Sequence, residues 1–222
     1  MDAGDRREIE QKVYGGQRLD RADGIALYGC GDLVWLGRLA QHRRSTPDRV
    51  TFTVLSRVGP EDAGAFDGDT VAVLRYGLGE TREQRVDQLL RIRETQDETD
   101  GFVSFLGRRE PSVVSPAEAL ATFAVARLLL DNVPRLTCDL ASDGPSLAQL
   151  AMNFGVDDLA GVADDGTAGE RDAEASRADL VTLIGDAGFR PVERDAHHQV
   201  VREYDAPPSL AERRSVPQRV WA

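Results

Sequence analysis

The feature that most restricts the fold is an alternation of short apolar runs with helical patterns between Thr70 and Gly188. TVAVLRY, residues 70–76, is rich in β-branched residues and reads as a strand. Thr81, with Gln84 three residues on, starts a helix carrying Val86, Leu89 and Leu90, which Asp100-Gly101 ends. Phe102 to Leu106 is a second strand. Ser115-Pro116-Ala117-Glu118 combines a cap, a proline at the first helical position and a glutamate at the third. Arg135 to Leu140 is a third strand, followed by a helix from Asp143-Gly144-Pro145 to Phe154. A short, weak strand falls near Gly161 to Ala163, and a last helix starts at Ser176 and stops at Gly188. Repeats of strand then helix imply a parallel sheet with right-handed crossovers. The fold class is therefore α/β: an incomplete TIM-type β/α barrel, or a small parallel sheet flanked by helices. Periodicity alone does not separate the two.

What precedes and follows the repeats differs in kind. Residues 1–45 read as a helical leader, with Asp20 and Asp32 as caps. VTFTVLSR, residues 50–57, is a strand that could pair directly with 70–76. Gly59 to Asp69 and Asp164 to Ala175 read as loops. Arg190 to Glu193 could add an extended piece. The expected organisation is a leader over 1–45, a partial barrel over 46–200 and a flexible tail over 201–222, where Pro207, Pro208 and Pro217 lie.

Charge excludes some functions. The chain has 27 Lys plus Arg against 38 Asp plus Glu, a net −11. A surface this acidic repels phosphate backbones, so nucleic acid is not an expected partner. No apolar run is long enough to span a bilayer, and Met1 to Glu10 is charged throughout. A soluble, cytoplasmic protein without membrane contact is expected. All but one of the basic residues are arginine, which fits either the codon bias of a GC-rich genome or salt adaptation. The two cysteines, Cys30 and Cys138, are 108 positions apart and have no Cys or His at metal-ligand spacing. No metal site is expected; two buried free thiols are the simpler reading. Gly-x-Gly-x-x-Gly, a Walker lysine and Gly-x-Ser-x-Gly are all absent.

Several stretches, in collinear order, resemble the aminofutalosine synthase family, radical S-adenosylmethionine enzymes of the futalosine route to menaquinone. KVYGGQRLDRADGIALYGCGDLVWLGRLAQHRR (12–44) is similar to that family's opening helices. LRYGLGETREQRVDQLLRIRETQDETDGFVSFL (74–106) resembles its "L-Y-G-H-I-E-T" phrase and the helix that follows. VARLLLDNVP (125–134), SLAQLAMNFGVDDLAG (146–161) and LIGDAGFRPVERD (183–195) match later segments. The family's first barrel strand leads into Cys-x-x-x-Cys-x-x-Cys, which holds a 4Fe-4S cluster. Here VTFTVLSR is followed by VGPEDAGAFDGDT, without cysteine, and then at once by the match to the fifth strand. The resemblance thus implies that strands two to four and the cluster loop are missing. Strand-end positions have also changed: the family's histidine is Leu78, its "F-I-P-L-x-F" is residues 105–110, and its "W-V-M-L-G" lies near 138–144.

These departures imply a truncated relative associated with menaquinone biosynthesis, without radical chemistry and with no cofactor. It would act as a partner subunit or ligand-binding scaffold. Open strand edges imply a homodimer or pairing with a full-length radical enzyme paralogue; a small-molecule ligand is the other expected partner. The alternative is new acid/base chemistry on a carboxylate substrate, using Tyr76, Glu80, Arg108, Arg109, Asp139 and Asp143 at strand ends. Each also has an ordinary role: Tyr76 in the core, Glu80 before a helix start, Arg108 and Arg109 in a solvated loop, Asp139 exposed on a strand, Asp143 as a cap. A decayed gene is a third reading, which intact caps and apolar faces disfavour.

Overall fold

The computed structural model describes residues 1–44, 46–56, 70–163 and 170–205. The expected loop at 59–69 and the tail from 206 lie outside the described residues, as do 164–169 of the second loop.

Three helices open the chain, α1 (Ala3–Tyr14), α2 (Arg21–Tyr28) and α3 (Leu33–His42). Asp2 and Asp20 form capping boxes with Asp5 and Asp23, and Asp32 caps α3 through Trp35 N–H. The strand β1 (Arg49–Ser56) follows. Next come β2 (Val71–Tyr76), α4 (Arg82–Thr99), β3 (Ser104–Arg109), α5 (Pro116–Leu129), β4 (Leu136–Asp139) and α6 (Leu140–Ala151). After β5 (Asp158–Ala163) and α7 (Glu170–Asp186), β6 (Arg190–Arg194) and β7 (Val200–Glu203) end the described chain. Thr81 and Ser115 cap α4 and α5 as their sequences predict.

One sheet of seven strands holds the order β2-β3-β4-β5-β1-β6-β7; all neighbours are parallel except β6 and β7. It is an open sheet. Strand β1 does not pair with β2, as its position in the chain allowed; it sits between β5 and β6, and β2 forms one edge. A long-range register, Phe52 beside Leu159 and Thr51 beside Val192, outweighs proximity in sequence.

Other boundaries moved for local reasons. Strand β3 starts two residues later than expected and runs to Arg109, because its register follows β2 from Val71–Ser104 to Tyr76–Arg109. The α6 segment begins at Leu140, with Asp139 as cap, and kinks at Gly144 (φ 75°), so Pro145 starts the regular part. Helix α7 starts at Glu170, before Ser176. Strand β7, partly inside the expected tail, pairs with β6.

All four crossover helices lie on one face of the sheet, as right-handed connections in one direction require. Arg85 of α4 stands over the Tyr76 ring, and a Cβ on Gly107 would meet Phe123 of α5 at 3.6 Å. Asp143 of α6 touches Cys138, and a Cβ on Gly161 would lie 2.7 Å from Leu180 of α7. Helices α2 and α3 pack outside α4 and α5 as a third layer. Gly24 permits that approach: a Cβ there would meet Val86 at 3.0 Å and Leu129 at 3.1 Å. Phe52, Leu74, Leu89, Phe105, Phe123 and Leu128 fill the core between sheet and helices.

Candidate functional site

In β/α folds the carboxyl ends of the strands hold the chemistry. Here the turn after β2 has positive φ at Gly77 (87°) and Gly79 (102°), conformations suited to glycine. It brings Glu80 back onto the backbone N–H groups of Gly77 and Leu78, both at 2.8 Å. Arg85 donates to Glu80 at 2.6 Å, to Glu118 at 3.0 Å and to Thr122 at 3.2 Å. Burial by itself would raise the Glu80 carboxyl, but the backbone donors and Arg85 outweigh it and hold it at about 2.

A second network begins at the end of β3. Arg109 Nε donates to Asp143 Oδ1 at 2.7 Å, and the Cys138 thiol donates to Asp143 Oδ2 at 3.3 Å. Burial, then the Asp143 charge, pushes the Cys138 thiol well above its ordinary value. Tyr76 is 1% exposed and its hydroxyl has no hydrogen-bond partner among the described residues. Burial, then Asp143, raises its phenol, and burial pushes the neighbouring Tyr28 up to about 12. At neutral pH the thiol and both phenols are therefore protonated, which suppresses nucleophilic chemistry.

The six residues singled out by sequence separate in space. Tyr76, Arg109 and Asp143 lie together on the helix-covered face, and Glu80 joins them through Arg85, which stacks on Tyr76 at 4.7 Å. Asp139 accepts from Ala141 N at 3.0 Å and Ser142 Oγ at 2.8 Å, at the start of its own helix. Arg108 alternates with Gly107 and Arg109 and so takes the opposite face, beside Arg75 of β2. Sequence reading missed Arg85 and the part played by Cys138. The signal for Arg85 was its place one turn after the cap Thr81 and one turn before Leu89, on the same helix face.

A further polar cluster occupies the helix-free face, where Asp158 opens β5 and Arg194 closes β6. Asp158 accepts from Arg194 Nε and Nη2, both at 2.6 Å, from Thr51 at 2.6 Å and from Thr137 at 2.8 Å. These contacts tie β1, β4, β5 and β6 together, and neither member of the pair is more than 3% exposed. A groove of about 550 Å³ lies between α6 and α7, over Leu140, Pro145, Leu180 and Leu183. Among the described residues no helix is long and apolar enough to cross a membrane, and no three His, Cys, Asp or Glu side chains group as metal ligands.

Fold and strand-end geometry define an α/β protein with an open, mostly parallel sheet, consistent with a partial barrel, and with its crossover helices on one face. No family model matches the chain. It is 37% identical over 176 residues to aminodeoxyfutalosine synthase of Streptomyces coelicolor, covering 68% of this chain and 46% of that protein. It is 36% identical over 161 residues to aminodeoxyfutalosine synthase of Thermus thermophilus, covering 61% and 41%. Cyclic dehypoxanthine futalosine synthase of Halalkalibacterium halodurans is 26% identical over 146 residues, covering 60% and 40%. The chain is a relative of the aminofutalosine synthase family, and it spans less than half the length of these curated relatives.

Proposed function

We propose that this chain is a non-catalytic relative of the futalosine-route synthases, acting as a ligand-binding scaffold or as a partner subunit of a full-length relative. The observation that carries this reading is its thiol inventory. The 222 residues contain two cysteines: Cys30 at the end of α2, 3.2 Å from Arg6, and Cys138, buried in β4 against Asp143. An iron–sulfur cluster needs at least three convergent thiolates. These two thiols do not fit one. The closed Glu80–Arg85 and Arg109–Asp143 pairs support the same reading, since each engages its carboxylate with an arginine.

The sheet edge supports a partner. Among the described residues no strand pairs with the outer side of β2, whereas the other side of β1 is taken by β6. An unpaired parallel edge is a template for another chain. Anaerobic reconstitution with iron and sulfide, followed by desalting and metal analysis, tests the first part: no stoichiometric iron should remain. Tagged protein purified from its own host tests the second; a full-length synthase should be recovered in near-equal amount. A retained cluster refutes the non-catalytic reading. A chain that is recovered alone and is monomeric in light scattering refutes the subunit.

A further inference from the structure

Three of the four crossover helices join neighbouring strands, whereas α7 joins β5 to β6 across the intervening β1. It therefore crosses two strand spacings, ~9.6 Å, and is set off from α6. The groove of about 550 Å³ opens between the two helices. Its floor is apolar, made by Leu140, Pro145, Gly161, Leu180 and Leu183. On its rim, Asp179 is exposed and makes no hydrogen bond or ion pair among the described residues. Asp186, two turns further along α7, is engaged in a contact of its own, so Asp179 is the carboxylate left to a partner. The described chain ends close by. Tyr204 N–H donates to Pro191 O at 3.1 Å and its hydroxyl to Glu193 at 3.0 Å, and Glu193 accepts from Arg177 of α7 at 2.7 Å. Arg177 follows Ser176, which lines the groove.

We infer that the groove between α6 and α7 is the docking site of this chain's own residues 206–222, with Arg213 and Arg214 on the Asp179 rim and the apolar side chains, Trp221 among them, on the floor. Charge selects this occupant. Residues 206–222 carry Arg213, Arg214 and Arg219 against Glu212, together with Leu210, Val216, Val220 and Trp221. Residues 57–69 carry Glu61, Asp62, Asp67 and Asp69 against Arg57, and residues 164–169 carry Asp164 and Asp165 with no base. A carboxylate rim repels both of those and attracts the first. Reach allows it: 17 extended residues span up to about 60 Å, more than the ~10 Å width of α7 that separates Tyr204 from the groove. A tether of this kind holds the segment at about millimolar effective concentration, so a weak intrinsic affinity suffices. The inference goes beyond the proposed function and does not depend on it.

Fluorescence of Trp221 in the full chain is the test. The other tryptophan, Trp35, is buried, and subtracting the signal of W221F removes its contribution. Acrylamide, a neutral quencher, should quench Trp221 about threefold less than it quenches a synthetic peptide of residues 206–222. D179R and, separately, the double variant R213E/R214E should each bring quenching up to that of the peptide, and the three changes combined should restore protection. Equal quenching in the parent and the peptide overturns the inference. Protection that survives both D179R and R213E/R214E overturns it as well, since the segment is then held elsewhere. Protection that disappears on dilution places the segment in the groove of a second copy and overturns the own-chain occupant. Asp179 is exposed, so D179R should fold, and circular dichroism melts of all variants establish this.

Discussion

On the helix-covered face of the sheet, Arg109 donates to a buried Asp143 at 2.7 Å, while its sequence neighbour Arg108 has no partner among the described residues on the opposite face. Elsewhere on that opposite face, Arg194 and Asp158 are again locked together and buried. The difference follows from solvent. A charge shut off from water must meet its counter-ion or shift its pKa. A charge at the open carboxyl end can stay hydrated.

That contrast can be broken at its strongest point first. Asp158→Ala leaves the Arg194 guanidinium buried without its carboxylate and should cost about 3–5 kcal/mol in urea unfolding. A loss below about 1 kcal/mol would mean that water reaches this face. Next, a double-mutant cycle with Arg109→Ala and Asp143→Ala should give a coupling of about 1–3 kcal/mol; additive losses would place Arg109 with Arg108 as a surface charge.

His198 sharpens the comparison through pH. It lies in the β6–β7 turn, and burial, followed by the charge of Arg194, depresses it to about 4. Asp158 and Asp195 pull the other way, and Arg135 adds to the depression. The unfolded chain binds the imidazole proton near the ordinary value of 6.5 and the folded chain does not. Stability should therefore fall as pH drops from about 6.5 towards 4. His198→Asn keeps a residue that tolerates the local φ of 60° and should flatten that part of the profile. An unchanged slope would assign the effect to other groups. The smallest effect is expected at Arg18, which bridges Asp97 and Asp131 with its side chain 47% exposed. Arg18→Ala should change stability by less than about 1 kcal/mol, and less still in high salt.

How much of this was legible beforehand varies by element. The caps at Asp20, Asp32, Thr81 and Ser115 are local chemistry, a side-chain oxygen meeting an N–H within three residues, so sequence reading places them correctly. The start of β3 is not local: its register against β2 draws Arg108 and Arg109 out of the expected loop into the strand. Strand β5 looked weak because Asp158 and Gly161 interrupt its apolar run. Asp158 is the anchor of a buried ion pair, and Gly161 makes room for Leu180. Of the candidate site, the residue types were visible at Tyr76, Glu80, Arg109 and Asp143, but their partners Arg85 and Cys138 come from other positions in the chain.

The sequence by itself determined the α/β rhythm, the helix starts, the scarcity of thiols and the kinship with the aminofutalosine synthases, because each depends on neighbours in the chain or on composition. Only the tertiary structure decided that β1 lies between β5 and β6, that β2 is left as an edge, and that Arg108 and Arg109 face opposite ways. The physical reason is that strand pairing and the period-two alternation of side chains are settled by register between distant segments. A shift of one residue exchanges the two faces.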